Sequence, residues 1–342
     1  TFDWYNRTTS DILTTANLPA TLGADAPYEN MGTIQTKGWE LAIDYRHTFK
    51  NGLHFGVTAS VADDKTEVTK WTYNTKIPSY GATGWWDKSA YKEGMVLGDI
   101  WGLQFDRFLT EDDFNADGSL KAGLPDQTKV FPAGYQFAPG DVLYKDLDNN
   151  GEIVKQTNTN DKGDLSVIGN ALPRLQFGLN LDAAWKGFDI SMFFQGVAKR
   201  KLWAAGNQVL PGFTTGEPFY KGAEDYWTPE NTDAFYPRPM DYKQSASGNY
   251  SVNDRYLLNM AYLRLKTFTV GYSLPKVWLS KFKVQGLRVY FTGENLFTID
   301  GVKPAIDPEI GIRTASGKSD QRNFGRSYPY QKTVSFGIQL SL

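Results

Sequence analysis

The chain has 342 residues, 36 Lys+Arg against 38 Asp+Glu for a net charge of −2, no Cys and two His. That balance speaks against nucleic-acid binding by phosphate neutralisation. The missing thiols exclude a disulfide scaffold and a Cys/His zinc site, and His47 and His54 are a poor basis for histidine catalysis. No apolar run approaches the ~18 residues of a membrane-spanning helix, while aromatics at 15% and 33 Gly suit strands and the aromatic girdles of an outer-membrane barrel.

The chain opens on Thr1-Phe2-Asp3-Trp4-Tyr5, directly into a strand-like pattern with no Met and no signal peptide, so it reads as a fragment or processed piece of something longer. Two-residue alternation then dominates. Trp39, Leu41, Ile43 and Tyr45 lead through Lys50-Asn51-Gly52, a strong hairpin signal, to Leu53, Phe55, Val57, Ala59 and Val61. Leu175, Phe177, Leu179, Leu181, Ala183 and Trp185 share one face, and after Lys186-Gly187 the pattern resumes at Phe188, Ile190, Met192 and Phe194. Leu287, Val289 and Phe291 alternate with Arg288, Tyr290 and Thr292, and the chain ends on Val334, Phe336, Ile338, Leu340 and Leu342.

Alternation alone suits a soluble sandwich as well as a membrane barrel. Connection length separates them. About eight strands are expected, over 2–14, 36–49, 53–70, 174–185, 188–200, 261–273, 287–298 and 331–342. Short turns (50–52, 186–187, 274–286) alternate with long loops (16–35, 71–173, 201–258, 299–330). Transmembrane β-barrels alternate in this way, with short periplasmic turns and long extracellular loops. Strand parity then places every short turn in the periplasm. It also places the strand-like segment 95–108 inside the large extracellular excursion 71–173, paired with 141–146.

Several motifs carry a family resemblance. Tyr5-Asn6-Arg7-Thr8-Thr9, Thr36-Lys37-Gly38-Trp39-Glu40 and Pro139-Gly140-Asp141-Val142-Leu143-Tyr144-Lys145-Asp146 come first. Ile168-Gly169, Phe194-Gln195-Gly196, Trp227-Thr228-Pro229-Glu230-Asn231-Thr232, Tyr262-Leu263-Arg264-Leu265-Lys266, Gly271-Tyr272-Ser273-Leu274-Pro275, Gly293-Glu294-Asn295-Leu296-Phe297 and Asp307-Pro308-Glu309 follow. In this colinear order the sequence resembles the C-terminal part of SusC/RagA-type TonB-dependent outer-membrane transporters. The resemblance implies an all-β fold, the C-terminal part of a transmembrane barrel of about 22 strands, with the plug domain and TonB box outside this chain. It further implies import of an oligosaccharide or oligopeptide across the outer membrane of a Gram-negative bacterium. A SusD-like surface lipoprotein and the TonB complex are the implied partners, with outer-membrane lipid and the rest of the same barrel around the chain.

Asp146-Leu147-Asp148-Asn149-Asn150-Gly151-Glu152 has the Asp-x-Asp-x-Asn-Gly spacing of a calcium loop, in which side-chain oxygens converge around a glycine-permitted turn and the next residue gives its carbonyl. The expected Ca²⁺ ligands are Asp146, Asp148, Asn150 and the Glu152 carbonyl, with Asp161 or Asp164 as the later acid. Asp164 matches the family's acid better. The competing reading is an ordinary Asx-rich turn. Trp85, Trp86, Trp203 and Trp227 fall in loops and are the candidates for stacking on substrate; loop packing is the competing reading for each. Arg264, Lys266, Arg288 and Glu294 point inward by alternation.

Enzyme signals fail. Gly317-Lys318-Ser319 lacks the phosphate-loop spacing, and no G-x-S-x-G occurs. Two other classes compete with transport: a soluble carbohydrate-binding β-sandwich and a self-contained adhesin-like barrel.

Overall fold

The computed structural model describes residues 1–15, 27–72, 92–155, 161–204, 206–212, 219–240, 248–280, 284–309, 314–315, 318–319 and 328–341. In chain order the strands are β1 (Phe2–Thr15), β2 (Tyr28–Thr48), β3 (His54–Trp71), β4 (Asp99–Gly102), β5 (Phe105–Phe108), β6 (Val142–Tyr144), β7 (Ser166–Asn170) and β8 (Arg174–Trp185). They continue with β9 (Phe188–Lys199), β10 (Lys201–Leu202), β11 (Leu258–Asn259), β12 (Tyr262–Ser273), β13 (Gly286–Asp300), β14 (Thr314–Ala315), β15 (Lys318–Ser319) and β16 (Thr333–Ser341). Among the described residues a single four-residue α-helix, α1 (Lys276–Leu279), sits in the β12–β13 turn.

Eight long strands form one antiparallel sheet in the order β1-β2-β3-β8-β9-β12-β13-β16. Each long strand pairs with the next long strand along the chain. The short strands pair among themselves inside the long connections, β4 with β7, β5 with β6, β10 with β11 and β14 with β15. The expected pairing of 95–108 with 141–146 is present as Phe105↔Tyr144 and Phe108↔Val142, while Asp99–Gly102 pairs with β7 instead. β2 begins at Tyr28, eight residues before the sequence expectation of 36, and pairs with β1 out to Tyr28↔Thr15.

Register explains the two faces. Directly opposed residues on antiparallel strands point the same way. One row across the wall reads Ile43, Ala59, Leu179, Phe194, Leu265 and Phe297. Another reads Asp182, Ser191, Thr269, Thr292 and Ser335. The apolar row is thus continuous through six strands and the polar row through five. A register shift at Lys266 keeps them so. One extra residue in β12 relative to β9 returns Phe268, Val270 and Tyr272 to the apolar side that Leu265 already occupies.

Among the described residues no second sheet covers either face. Phe336 and Ile338 are 82% and 74% exposed. A sandwich of this length would bury such residues between two layers, so the sandwich alternative does not describe this chain. Nor does the wall close on itself: β1 and β16 are the two edges of the sheet. The self-contained barrel therefore fails too.

The hydrophobic cores lie elsewhere, under the long connections. Ile100, Trp203, Leu210, Tyr256, Met260 and Val302 form one cluster, drawn from three different connections. Leu103, Phe108, Val142, Tyr144, Ile153 and Trp227 form a second.

Candidate functional site

The polar face of the wall is the first element of the site. It holds a groove of about 520 Å³ lined in part by Asp3, Glu40, Ser60, Gln176, Phe193 and Gln195. Arg288 lies on this face as expected. Its Nε and Nη2 donate to Asp189 Oδ1 and Oδ2 at 3.0 and 2.5 Å, reaching from β13 across β12 to β9. The guanidinium crosses over Gly271, where a Cβ would stand 2.5 Å from Nη2, so a side chain here would push the guanidinium off its path to Asp189.

A second element ties the last long connection to the wall. Arg264 Nε donates to Thr298 Oγ1 at 2.7 Å, and its Nη2 donates to Asp307 Oδ1 at 2.7 Å. Nη1 lies 3.0 Å from Glu309 Oε1, an ion pair whose direction does not make a hydrogen bond. Lys266 Nζ donates to Glu309 Oε2 at 2.9 Å, and the Tyr330 ring sits 5.4 Å from the Arg264 guanidinium and 4.8 Å from the Lys266 ammonium. Asp307 also accepts the Glu309 and Tyr330 N–H groups. Burial raises the Asp307 carboxyl, and the Arg264 bond with these N–H donors outweighs it, so the group lies below the usual carboxylate range. Two cations and two anions thus hold 307–309 and 330 against β12.

The loop body has its own charged centre at Asp141, which is fully buried. It accepts hydrogen bonds from Tyr135 OH (2.8 Å), Ala138 N (2.9 Å), Arg238 Nε (2.9 Å) and Asn249 Nδ2 (2.9 Å). The preceding Gly140 has φ +89°, and a Cβ there would meet the Trp227 ring at 2.5 Å. Burial, with Asp141 beside it, pushes the Tyr135 hydroxyl upward. The Pro139-Gly140-Asp141 motif therefore joins the 92–155 and 219–258 segments. Arg238 and Asn249, which sequence reasoning missed, lie 97 and 108 residues from Asp141, a separation that carries no local signal.

The acidic loop brings together three of the five expected calcium ligands. Carboxylate oxygens of Asp146, Asp148 and Asp164 lie within 4.8 Å of one another. Two ligands on opposite sides of one Ca²⁺ at 2.3–2.6 Å stand up to about 5 Å apart, so these three fit a shared ion. Of the other two, Asn150 is engaged elsewhere; for Glu152 the engaged group is the carboxylate, not the carbonyl expected to coordinate. Asn150 Oδ1 accepts the Glu152 N–H at 2.8 Å and its Nδ2 donates to Asp148 Oδ2, while the Glu152 carboxylate pairs with Lys129. Asp164, rather than Asp161, is the acid that joins. It is buried and accepts N–H bonds from Leu147 (2.8 Å) and Val154 (2.7 Å). Burial raises its carboxyl, those bonds oppose the rise, and repulsion from Asp148 and Asp146 adds to it. Desolvation also pushes Asp146 up, but the N–H groups of Gly151 and its neighbours outweigh it and leave the carboxyl lowered.

The tryptophans divide. Trp85 and Trp86 lie outside the described residues. Trp203 and Trp227 are buried, one in each hydrophobic cluster, so their ring faces meet protein rather than solvent. This is the loop-packing alternative, and it has a physical cause: long connections with little other apolar surface need large rings to build a core.

No protein-family model matches the chain. The TonB-dependent receptor P3 of Formosa agariphila is 27% identical over 351 residues, covering 99% of this chain and 32% of the relative. The TonB-dependent receptor SusC of Bacteroides thetaiotaomicron is 22% identical, covering 99% of this chain and 29% of the relative. Among solved structures, the RagAB peptide transporter superposes with a TM-score of 0.66 at 20% identity over 99% of this chain and 32% of that one. The chain has the fold of a SusC/RagA-type TonB-dependent receptor barrel, in its C-terminal part. It spans about a third of the length of the relatives it matches. That fraction agrees with eight strands of an open wall.

Proposed function

We propose that this chain forms the C-terminal wall and loop body of an outer-membrane importer. The single observation that carries the reading is the one-layer sheet with a continuous apolar face and a continuous polar face, neither covered by a second layer. An apolar face without a protein partner suits lipid, and a polar face suits an aqueous lumen. Sheet edges in lipid leave unpaired backbone groups that cost several kcal/mol each, so β1 and β16 would pair with strands from the rest of the same barrel. The long connections, including 71–173, 201–258 and 299–330, would face outside and the short turns the periplasm. The cargo is an oligosaccharide or an oligopeptide. A SusD-like lipoprotein would close over the loop body, and the TonB complex would supply energy through a plug outside this chain.

The acidic loop at 146–164 would bind Ca²⁺ as a structural ion, with Asp146, Asp148 and Asp164 as the core of the site. Asn150 and the Glu152 carbonyl join once the Asn150 amide releases the Glu152 N–H. Ordering this loop would shape the outer mouth of the importer.

The function is tested by deleting the full-length gene and measuring uptake of labelled oligosaccharide and oligopeptide panels by whole cells, with and without a protonophore. Loss of one class of uptake, dependent on the proton gradient, is the expected result. Unchanged uptake across both panels, or recovery of the protein in the soluble fraction, would overturn the reading.

A further inference from the structure

The short-turn end of the wall carries an aromatic belt on its apolar face. Trp185, Phe188, Tyr272, Val289 and Ile338 form one lateral row through register. The Phe188 and Tyr272 rings stand 4.5 Å apart, and the Lys186 ammonium lies 4.4 Å from the Trp185 ring. On β2 the Tyr45 and His47 rings stack, and the following Phe49 meets His47 edge-on, along the same face. Immediately beyond this belt the β12–β13 turn folds into α1.

That helix is unusual in what it exposes. Leu274 N donates to Leu287 O and Gln285 N to Ser341 O, so both ends of the turn are fastened to the sheet. Leu279 is buried, and its carbonyl accepts the Val284 N–H. Between these anchors, Val277 and Trp278 are 78% and 61% exposed. Two adjacent large apolar side chains are thus left mostly exposed on a pinned turn. Lys276 precedes them.

We propose that α1 is an interfacial anchor, with Val277 and Trp278 seated in the headgroup layer of the periplasmic leaflet and Lys276 facing phospholipid phosphate. Three things support the choice of lipid as the occupant. The helix continues a belt already placed at the rim of the apolar face. Indole rings partition to the membrane–water boundary because they pair an apolar body with an N–H donor. A Lys beside them complements anionic headgroups. The inference rests on the barrel reading above and adds to it a fixed depth for the short-turn end. A pinned rim would hold the wall at constant height while the plug is pulled.

The test uses the full-length protein in phosphatidylethanolamine–phosphatidylglycerol bilayers. These 342 residues contain no Cys, so each label placed in them is unique within the chain. Any cysteine elsewhere in the polypeptide is replaced by Ser. Nitroxide labels go on Val277→Cys, Leu179→Cys (on the mid-wall apolar row) and Lys50→Cys, and collision with oxygen is compared with collision with a water-soluble nickel chelate. The expected result is a depth at Val277→Cys between those of the other two, about 5–10 Å into the headgroup and acyl boundary. Adding Trp278→Ala should shift the Val277 label toward water. Equal nickel access at 277 and 50, with 179 in hydrocarbon, would overturn the anchor and leave the barrel standing. Shielding of the 277 label from both reagents would mark a protein contact and overturn it as well. Nickel access at 179 would instead remove the barrel reading on which it rests.

Discussion

Replacing Arg264 by Met should release the last long connection from the wall. The Arg264 and Asp307 side chains are each only 4% exposed, and Glu309 is close behind. Met keeps most of the volume and removes the charge. Lys266 then still pairs with Glu309, while Asp307 loses the cation it was bonded to. Removing one partner of a buried pair costs about 3–5 kcal/mol, because the remaining charge stays desolvated. At about 1.4 kcal/mol per tenfold change, local opening becomes about 100- to 4,000-fold more frequent. Hydrogen exchange at the Glu309 and Tyr330 amides reads this directly, since both donate to Asp307. Their protection should fall by that factor, while the β8–β9 amides stay unchanged. The double variant Arg264→Met with Asp307→Asn should recover part of the loss by removing the stranded charge. Protection unchanged within about threefold in Arg264→Met would refute the claim that this ion cluster holds the connection.

Three further outcomes follow from the loop body. Gly140→Ala places a Cβ 2.5 Å from the Trp227 ring at φ +89°, so it should destabilise the loop body by about 1–3 kcal/mol, seen as faster protease cleavage within 219–240. Asp113 is held below the usual carboxylate range by its two bonds from Arg107, against an opposing effect of burial. A depressed folded-state pKa stabilises above the unfolded value near 4 and stops doing so as pH falls through the folded one. Exchange protection around 107–114 should therefore hold from pH 8 to 5 and drop below about 4, a drop that Arg107→Gln flattens. Calorimetric titration of the full-length protein with Ca²⁺ should give heat that Asp148→Ala abolishes; equal heats in both would return 146–152 to an ordinary turn.

Legibility tracked the environment of each segment. β8 and β9 match their expected spans almost residue for residue, because a one-layer wall imposes a strict period of two on every position. The start of β2 was hidden for the converse reason. Tyr28-Glu29-Asn30 runs past any demand for one apolar face, so nothing in it alternates. The shift at Lys266 was equally silent, since Leu265, Lys266 and Thr267 read as unbroken alternation with Arg264. In α1, four residues after Pro275 are too few to show a helical period. The loop body was least legible. Its charged centre joins residues about a hundred positions apart, and its tryptophans advertised binding while serving as core. Of the acidic loop, spacing found Asp146 and Asp148, and the family resemblance favoured Asp164 over Asp161. Neither showed that Asn150 bonds the Glu152 amide instead of turning inward.

The central claim is that the two faces of the wall meet lipid and water respectively. A single-cysteine scan of β8 from Gln176 to Ala183, made in the full-length protein in native outer membranes, tests it most directly. Gln176, Gly178, Asn180 and Asp182 should react with a water-soluble maleimide. Phe177, Leu179, Leu181 and Ala183 should resist it, and fluorophores attached there should be quenched by brominated lipid. Labelling without a two-residue period, or lipid quenching on the polar set, would contradict the account.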